Sequence, residues 1–168
     1  TVDGVGSVTV NDPIATTTGA LTKTGTGTLT LSGANTYTGA TAINAGVVNI
    51  QNATALGTTD NGTTVASGAA LEIQGDITVA AEALSLNGTG VSTNGALRNI
   101  SGSNTFQGLI TLAASAEIQS DAGVLTLAPS SGNAVTGAFN LTVDGVGSVP
   151  VNDPIATSTG ALTKTGTG

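Results

Sequence analysis

Carboxylates are the only side chains in this 168-residue chain whose spacing could do chemistry. Asp3 and Asp12, the trio Asp60, Glu72 and Asp76, and the pair Glu117 and Asp121 stand at separations that a coiling backbone could bring onto adjacent turns. Two acids meeting in this way would suit glycan cleavage, where one carboxyl protonates the leaving oxygen and the other acts as base or nucleophile. Such sites need rings and cations to hold the sugar. The chain offers three rings, Tyr37, Phe106 and Phe139, and Tyr37 and Phe106 occupy the same place in a repeated phrase. A structural role is expected for that phrase, with Asn35, Tyr37, Asn104 and Phe106 packing an Asn-Thr-aromatic turn. No catalytic residue is assigned, and the chain is not expected to be an enzyme.

Calcium asks only for oxygen ligands from Asp, Asn and turn carbonyls. The segments Asp3-Gly4-Val5-Gly6, Asn11-Asp12 and Asp60-Asn61-Gly62 carry such oxygens, and the best-placed ligands would be Asp3, Asp12 and their copies Asp144 and Asp153. The G-G-x-G-x-D nonapeptide of calcium-binding β-rolls is missing, so no cofactor is expected beyond that one candidate ion. With no His and no Cys, the Ser-His-Asp triad, the Cys-His pair and the usual zinc sites are excluded. The paired glycines of Asp3-Gly4-Val5-Gly6 and Gly25-Thr26-Gly27 never complete G-x-G-x-x-G, and coil corners account for them better than a phosphate cradle does. Several Asn-x-Ser/Thr triplets occur, as expected in a chain so rich in Asn and Thr, and no function is assigned to them.

A net charge of −7, from ten acids against Lys23, Arg98 and Lys164, argues against nucleic acid and against anionic membrane surfaces. No apolar run reaches the roughly 18 residues of a membrane helix. The absence of cysteine removes any disulfide framework, which leaves backbone hydrogen bonding over a continuous core as the expected source of stability.

The elements that would position these residues are strands. Thr28-Leu29-Thr30-Leu31 and Ala70-Leu71-Glu72-Ile73-Gln74 alternate apolar with polar residues, as do Val8–Val10, Val48–Ile50, Leu84–Leu86, Ala116–Ile118, Leu125–Leu127 and Leu141–Val143. Asn61-Gly62, Asn87-Gly88, Asn94-Gly95, Asp3-Gly4 and Asn11-Asp12-Pro13 punctuate them as turns. No stretch keeps apolar residues at helical spacing.

Repetition decides between the all-β architectures. The segment 1–27 returns as 142–168, changed only where Thr9 becomes Pro150 and Thr17 becomes Ser158; from Thr1 to Thr142 the period is 142 − 1 = 141. Inside it, Ser32–Gly39 returns in diverged form as Ser101–Gly108, an offset of 101 − 32 = 69, close to half the period. Nested repeats suit a stack of similar coils, so residues 1–168 are expected to form one continuous, uncapped β-solenoid of roughly seven coils. Pro150 lacks an N–H, which predicts that the backbone N–H of this position lies outside the ladder in both copies.

Thr26–Gly46, reading TGTLTLSGANTYTGATAINAG, closely resembles the passenger-associated β-strand repeat of autotransporters, and Asn94–Phe106 resembles a diverged sister phrase in giant repetitive bacterial surface proteins. The resemblance implies a right-handed parallel β-helix with no active site, displayed on or released from the surface of a Gram-negative-type bacterium. The expected role is a structural and adhesive one, a stretch of a long tandem array forming a stiff stalk or filament. Its expected partners are itself, end to end along the axis, and host-surface or matrix glycans. A glycan-binding or glycan-cleaving β-helix and a sheath whose rods associate side by side are the alternatives.

Overall fold

The computed structural model describes all residues from Thr1 to Gly168 and contains seventeen short strands and one three-residue 3-10 turn, Val91–Thr93. Strands pair in parallel with strands about one coil earlier and later, and the chain winds as a β-solenoid of about seven turns. Each coil passes three faces in a fixed order. Face A stacks β1 (Val8–Val10), β3 (Thr28–Leu31), β5 (Gly46–Ile50), β7 (Ala69–Ile73), β10 (Leu97–Asn99), the second half of β12 (Ile110–Ser120), β15 (Leu141–Gly145) and β17 (Leu162–Lys164). Face C follows along the chain, with β8 (Thr78–Val79), β11 (Ser103–Phe106) and β13 (Val124–Leu127). Face B closes the coil with β2 (Leu21–Lys23), β4 (Thr41–Ile43), β6 (Thr63–Val65), β9 (Leu84–Gly88), the first half of β12, β14 (Val135–Thr136) and β16 (Ile155–Ala156). The register of β12 shifts between Leu112 and Ala116, which lets one strand turn the corner from face B to face A. At about 4.8 Å per coil the stack is roughly 34 Å tall.

Alternation does what the sequence predicts. Leu29 and Leu31 point inward and are fully buried, and the row continues up face A through Val48, Leu71, Leu97 and Ile118, each directly over the last. Each such aliphatic side chain removed from water contributes roughly 1.5–3 kcal/mol, and the stack joins them into a single core. The predicted Asn-Gly and Asp-Gly turns hold their glycines at positive φ: Gly4 at 108°, Gly62 at 66°, Gly88 at 82° and Gly95 at 93°. The paired glycines of the terminal repeat are coil corners under close approach. A Cβ at Gly25 would lie 2.0 Å from the Gly4 carbonyl oxygen and one at Gly27 2.0 Å from that of Gly6. The same stack recurs in the second copy, Gly166 over Gly145 and Gly168 over Gly147.

Not every inward position is apolar. Asn99 and Ser120 replace aliphatic residues in the inner row of face A and are fully buried; Asn99 Nδ2 donates to Ser120 Oγ at 3.1 Å and to the Ala122 carbonyl at 2.8 Å. Lys23 takes an inward place on face B, its ammonium donating to the carbonyls of Gly25 and Ala45. Burial lowers its pKa, partly offset by Asp3.

The proline prediction needs a correction. Leu125 and Leu127 N–H donate to the Ser148 and Pro150 carbonyls, and Asn152 N–H donates back to Leu127, so by the alternation of a parallel ladder the N of residue 150 faces the Leu125 carbonyl. Pro150 therefore deletes a rung at a position that does lie in the ladder. In the first copy Ser32 N–H donates to Val10 O, which by the same alternation turns the Thr9 N–H away from β3 and toward the open edge of the first coil. In both copies the backbone N of this position thus points toward the preceding coil.

Candidate functional site

The carboxylates do not converge. No group of three or more acidic side chains comes together in a way that could hold a metal ion. Of the four candidate calcium ligands, Asp3 and Asp144 each accept the N–H of the following glycine, at 2.8 and 2.6 Å, and so brace their own turns. Asp60 accepts from the Thr58 hydroxyl.

What the coil does bring together is a polar strip on the outer side of face A. Thr30, Asn49, Glu72, Arg98 and Gln119 are successive partners, one per coil. Gln51 donates to Asn49, Asn49 donates to Glu72 at 3.1 Å, and Arg98 bridges Glu72 at 3.1 Å and Asp121 on the next coil. Gln119 closes the run on the other Asp121 oxygen. The Arg98 pKa rises, chiefly through its hydrogen bond to Asp121, with both carboxylates adding to the effect. An Arg sharing its two terminal nitrogens between acids on two coils is a structural clamp, although its buried Nε lacks a partner. One neighbour departs from the sequence reading. Glu117 has the outward parity of its strand yet is only 7% exposed, its Oε1 lacks a partner, and burial raises its pKa with a further push from Asp144.

The Asn-Thr-aromatic phrase sits on face C in both its copies, with its Asn and its ring buried in both. Asn35 Oδ1 accepts the Ile14 N–H from the coil below at 2.8 Å, and its Nδ2 donates to the Ala55 carbonyl of the coil above at 2.6 Å. Asn104 likewise accepts the Ile77 N–H from the coil below, and spends its own N–H groups on Asn99 and Ser101 within its coil. Tyr37 and Phe106 fill the interior beside them, and the Tyr37 hydroxyl meets Thr41 Oγ1 at 2.7 Å. Burial pushes the Tyr37 pKa up to about 12, with Glu82 adding to the rise and the Thr41 contact opposing it.

The residue that sequence reasoning missed is Glu82. Its carboxyl is 3% exposed, accepts the inward-pointing Thr63 hydroxyl at 2.7 Å, and has its pKa raised by burial. It borders a depression of about 390 Å³ that Asn35, Thr36, Leu56, Thr58 and Val79 also line. The signal for it was faint: a lone acid between alanines, with no alternating strand around it to mark its side chain as inward.

These features outline a scaffold in which polar side chains tie coil to coil. Comparison with curated proteins and with solved structures gives no match. A family model does match, over residues 21–50, the coil and a half that runs from β2 through β5 and contains Asn35 and Tyr37. That family is the Passenger-associated-transport-repeat, and the matched residues, set in a β-solenoid, fit an autotransporter passenger repeat.

Proposed function

We propose that the chain is a structural and adhesive element of a bacterial surface, a stretch of a long tandem array that builds a stiff extracellular stalk or filament on a Gram-negative-type cell. The passenger repeat already points to a secreted or surface location, and no helix is long and apolar enough to cross a membrane. The observation that carries the reading is the parallel ladder on face A, unbroken from β1 to β17, in a chain whose segment 1–27 returns as 142–168. A solenoid in which each coil touches only its neighbours lengthens by repetition alone. Stiffness comes from the ladder, and solubility from the Thr and Asn of the outer rows. The polar side chains serve the scaffold: Arg98 clamps three coils, Asn35 pegs the coils on either side of its own, and no catalytic role is assigned.

Partners in this reading are further copies, end to end along the axis, and glycans of a host surface or matrix along the flanks. Electron micrographs of the native parent protein test it. Unbranched rods whose length grows with the number of sequence periods, at roughly 30 Å per period from the coil spacing, are expected. Discrete, capped particles one period long would overturn it. The glycan-binding alternative rests on the depression beside Glu82, and predicts that Glu82→Gln abolishes retention on an oligosaccharide column while leaving the melting temperature intact.

A further inference from the structure

The two copies of the terminal repeat do not occupy the same face. In the first copy Val2 pairs with Lys23 on face B, Val8–Val10 lie on face A, and Leu21–Lys23 return to face B. In the second copy Val143 pairs with Lys164 on face A, Ser148 and Val151 bridge to face C, and Ile155–Ala156 lie on face B. Every equivalent residue has moved one face onward in the winding order. The outer row of face B confirms the count: Thr22, Ala42, Thr64, Ser85, Thr111, Thr136 and Ala156 are successive partners, six coils end to end, and the copy of Thr22 is not Ala156 but Thr163, one face later.

Contacts inside the repeat survive the move. Gly25 on Gly4 and Gly27 on Gly6 become Gly166 on Gly145 and Gly168 on Gly147, and the Lys23 contact with the Gly25 carbonyl becomes that of Lys164 with Gly166. The repeated segment travels as a unit that stacks on itself, and any face supplies what it needs, namely inward apolar residues separated by one outward residue.

We infer that the period from Thr1 to Thr142 is out of step with the coil, holding about six and one third turns, so that successive periods walk round the solenoid and return to the same face only at every third period. This rests on the tandem-array reading of the parent protein and gives the array its surface. A feature found once per period, such as the Arg98 clamp between Glu72 and Asp121, steps about a third of a turn with each advance of roughly 30 Å and recurs on one side only every nineteen coils, roughly 91 Å. Such a rod has no single sticky side. It offers its outer residues in every direction, as suits contact with a disordered glycan matrix, and two parallel rods can match like strips only at every third period. The geometry therefore favours a free stalk over a laterally packed sheath.

The chain has no cysteine, so nitroxide pairs can be placed at will. With Gln119→Cys and Asp144→Cys the labels should sit on in-register neighbours of face A and broaden each other's spectrum strongly; with Ala113→Cys and Asp144→Cys, the pair that would be neighbours if the second copy kept the face of the first, the lines should stay sharp. Broadening in the second pair, or in neither, overturns the offset whatever the parent assembles into. Cryo-electron micrographs of parent rods supply the other arm. A screw of about 120° per period is expected, and a rotation near zero would overturn the walk while leaving the stalk standing.

Discussion

Two repeats run through this molecule, and they behave in opposite ways. Ser32–Gly39 and Ser101–Gly108 stand three coils apart on the same face, so that Asn104 lies where Asn35 lay and Phe106 where Tyr37 lay. Segments 1–27 and 142–168 are far more alike in sequence, yet come back one face out of step. Similarity and phase are thus independent. The first pair is bound to its face by what it asks of its neighbours: each Asn needs a backbone N–H from the coil below, and each ring needs the interior of face C. The terminal repeat carries its own neighbours inside itself and asks little of the coil beneath.

Truncating the rings should break the in-phase pair hardest. Phe106 is fully buried among the apolar residues of face C, and Phe106→Ala is expected to cost about 3–5 kcal/mol in a denaturant melt. Val5, at the first corner of the terminal repeat, is 87% exposed, and Val5→Ala should change stability by less than about 0.5 kcal/mol. Comparable losses at the two sites would show that the terminal coil leans on its surroundings as much as the inner one does.

The asparagines come next. Asn35→Ala strands the Ile14 N–H and the Ala55 carbonyl, and Asn104→Ala strands the Ile77 N–H and the Asn99 side chain, so each should cost about 2–4 kcal/mol. The Asn35 loss should come with faster amide exchange on three successive coils, because its two bonds reach both ways. For Asn104 the faster exchange should be confined to its own coil and the one below.

Much of this was legible beforehand, for a definable reason. The strands at Thr28–Leu31 and Ala69–Ile73 were readable because alternation is a local property, and the ring packing because two copies of one phrase placed both rings alike. Asn99 and Ser120 were not legible as core, since they sit in Leu-Arg-Asn and Ile-Gln-Ser stretches where the polar residue looks outward until its partners on the next coil are known. The face on which a segment lies was least legible, because it depends on the summed length of every coil before it. The coil from Leu29 to Val48 is short, 48 − 29 = 19, and that from Leu71 to Leu97 is long, 97 − 71 = 26, and no local pattern announces the difference.

Alkaline titration separates the two members of the in-phase pair. Tyr37 is the only tyrosine, and its folded pKa stands at about 12 against an ordinary value of 10.0. The folded state keeps the proton longer than the unfolded chain, so the stabilisation is complete below pH 10 and is lost as pH climbs toward 12, up to roughly 2.7 kcal/mol in all. Tyrosinate absorbance should therefore rise late and together with unfolding. A reversible midpoint near 10 in a chain still folded would show the ring to be solvated. Tyr37→Phe, which copies the other repeat, should remove this alkaline limb.

That substitution has a smaller cost of its own. Tyr37→Phe deprives Thr41 of its partner and should lose about 1–2 kcal/mol. The residue at the Thr41 place in the diverged copy is Ile110, apolar beside an apolar ring. Tyr37→Phe with Thr41→Ile transplants that pairing, and should recover at least half of the loss. Failure to recover would mean that the two face C sites differ in more than the hydroxyl pair.

The smallest effect belongs to a position at which the two terminal copies differ in sequence. Thr9→Pro should shift stability by no more than about 0.5 kcal/mol, because the lost N–H faces an open edge and the stiffer unfolded chain offsets what strain remains. In the reverse exchange, Pro150→Thr regains one rung and gives back the proline's entropic gain, so its melt should scarcely move either. Hydrogen exchange tells the two positions apart: the new amide at position 150 should be protected, held by the Leu125 carbonyl, while the amide of Thr9 exchanges freely. Protection of the Thr9 amide would mean that this N–H is bonded, and that the register of β1 on β3 differs from the one described.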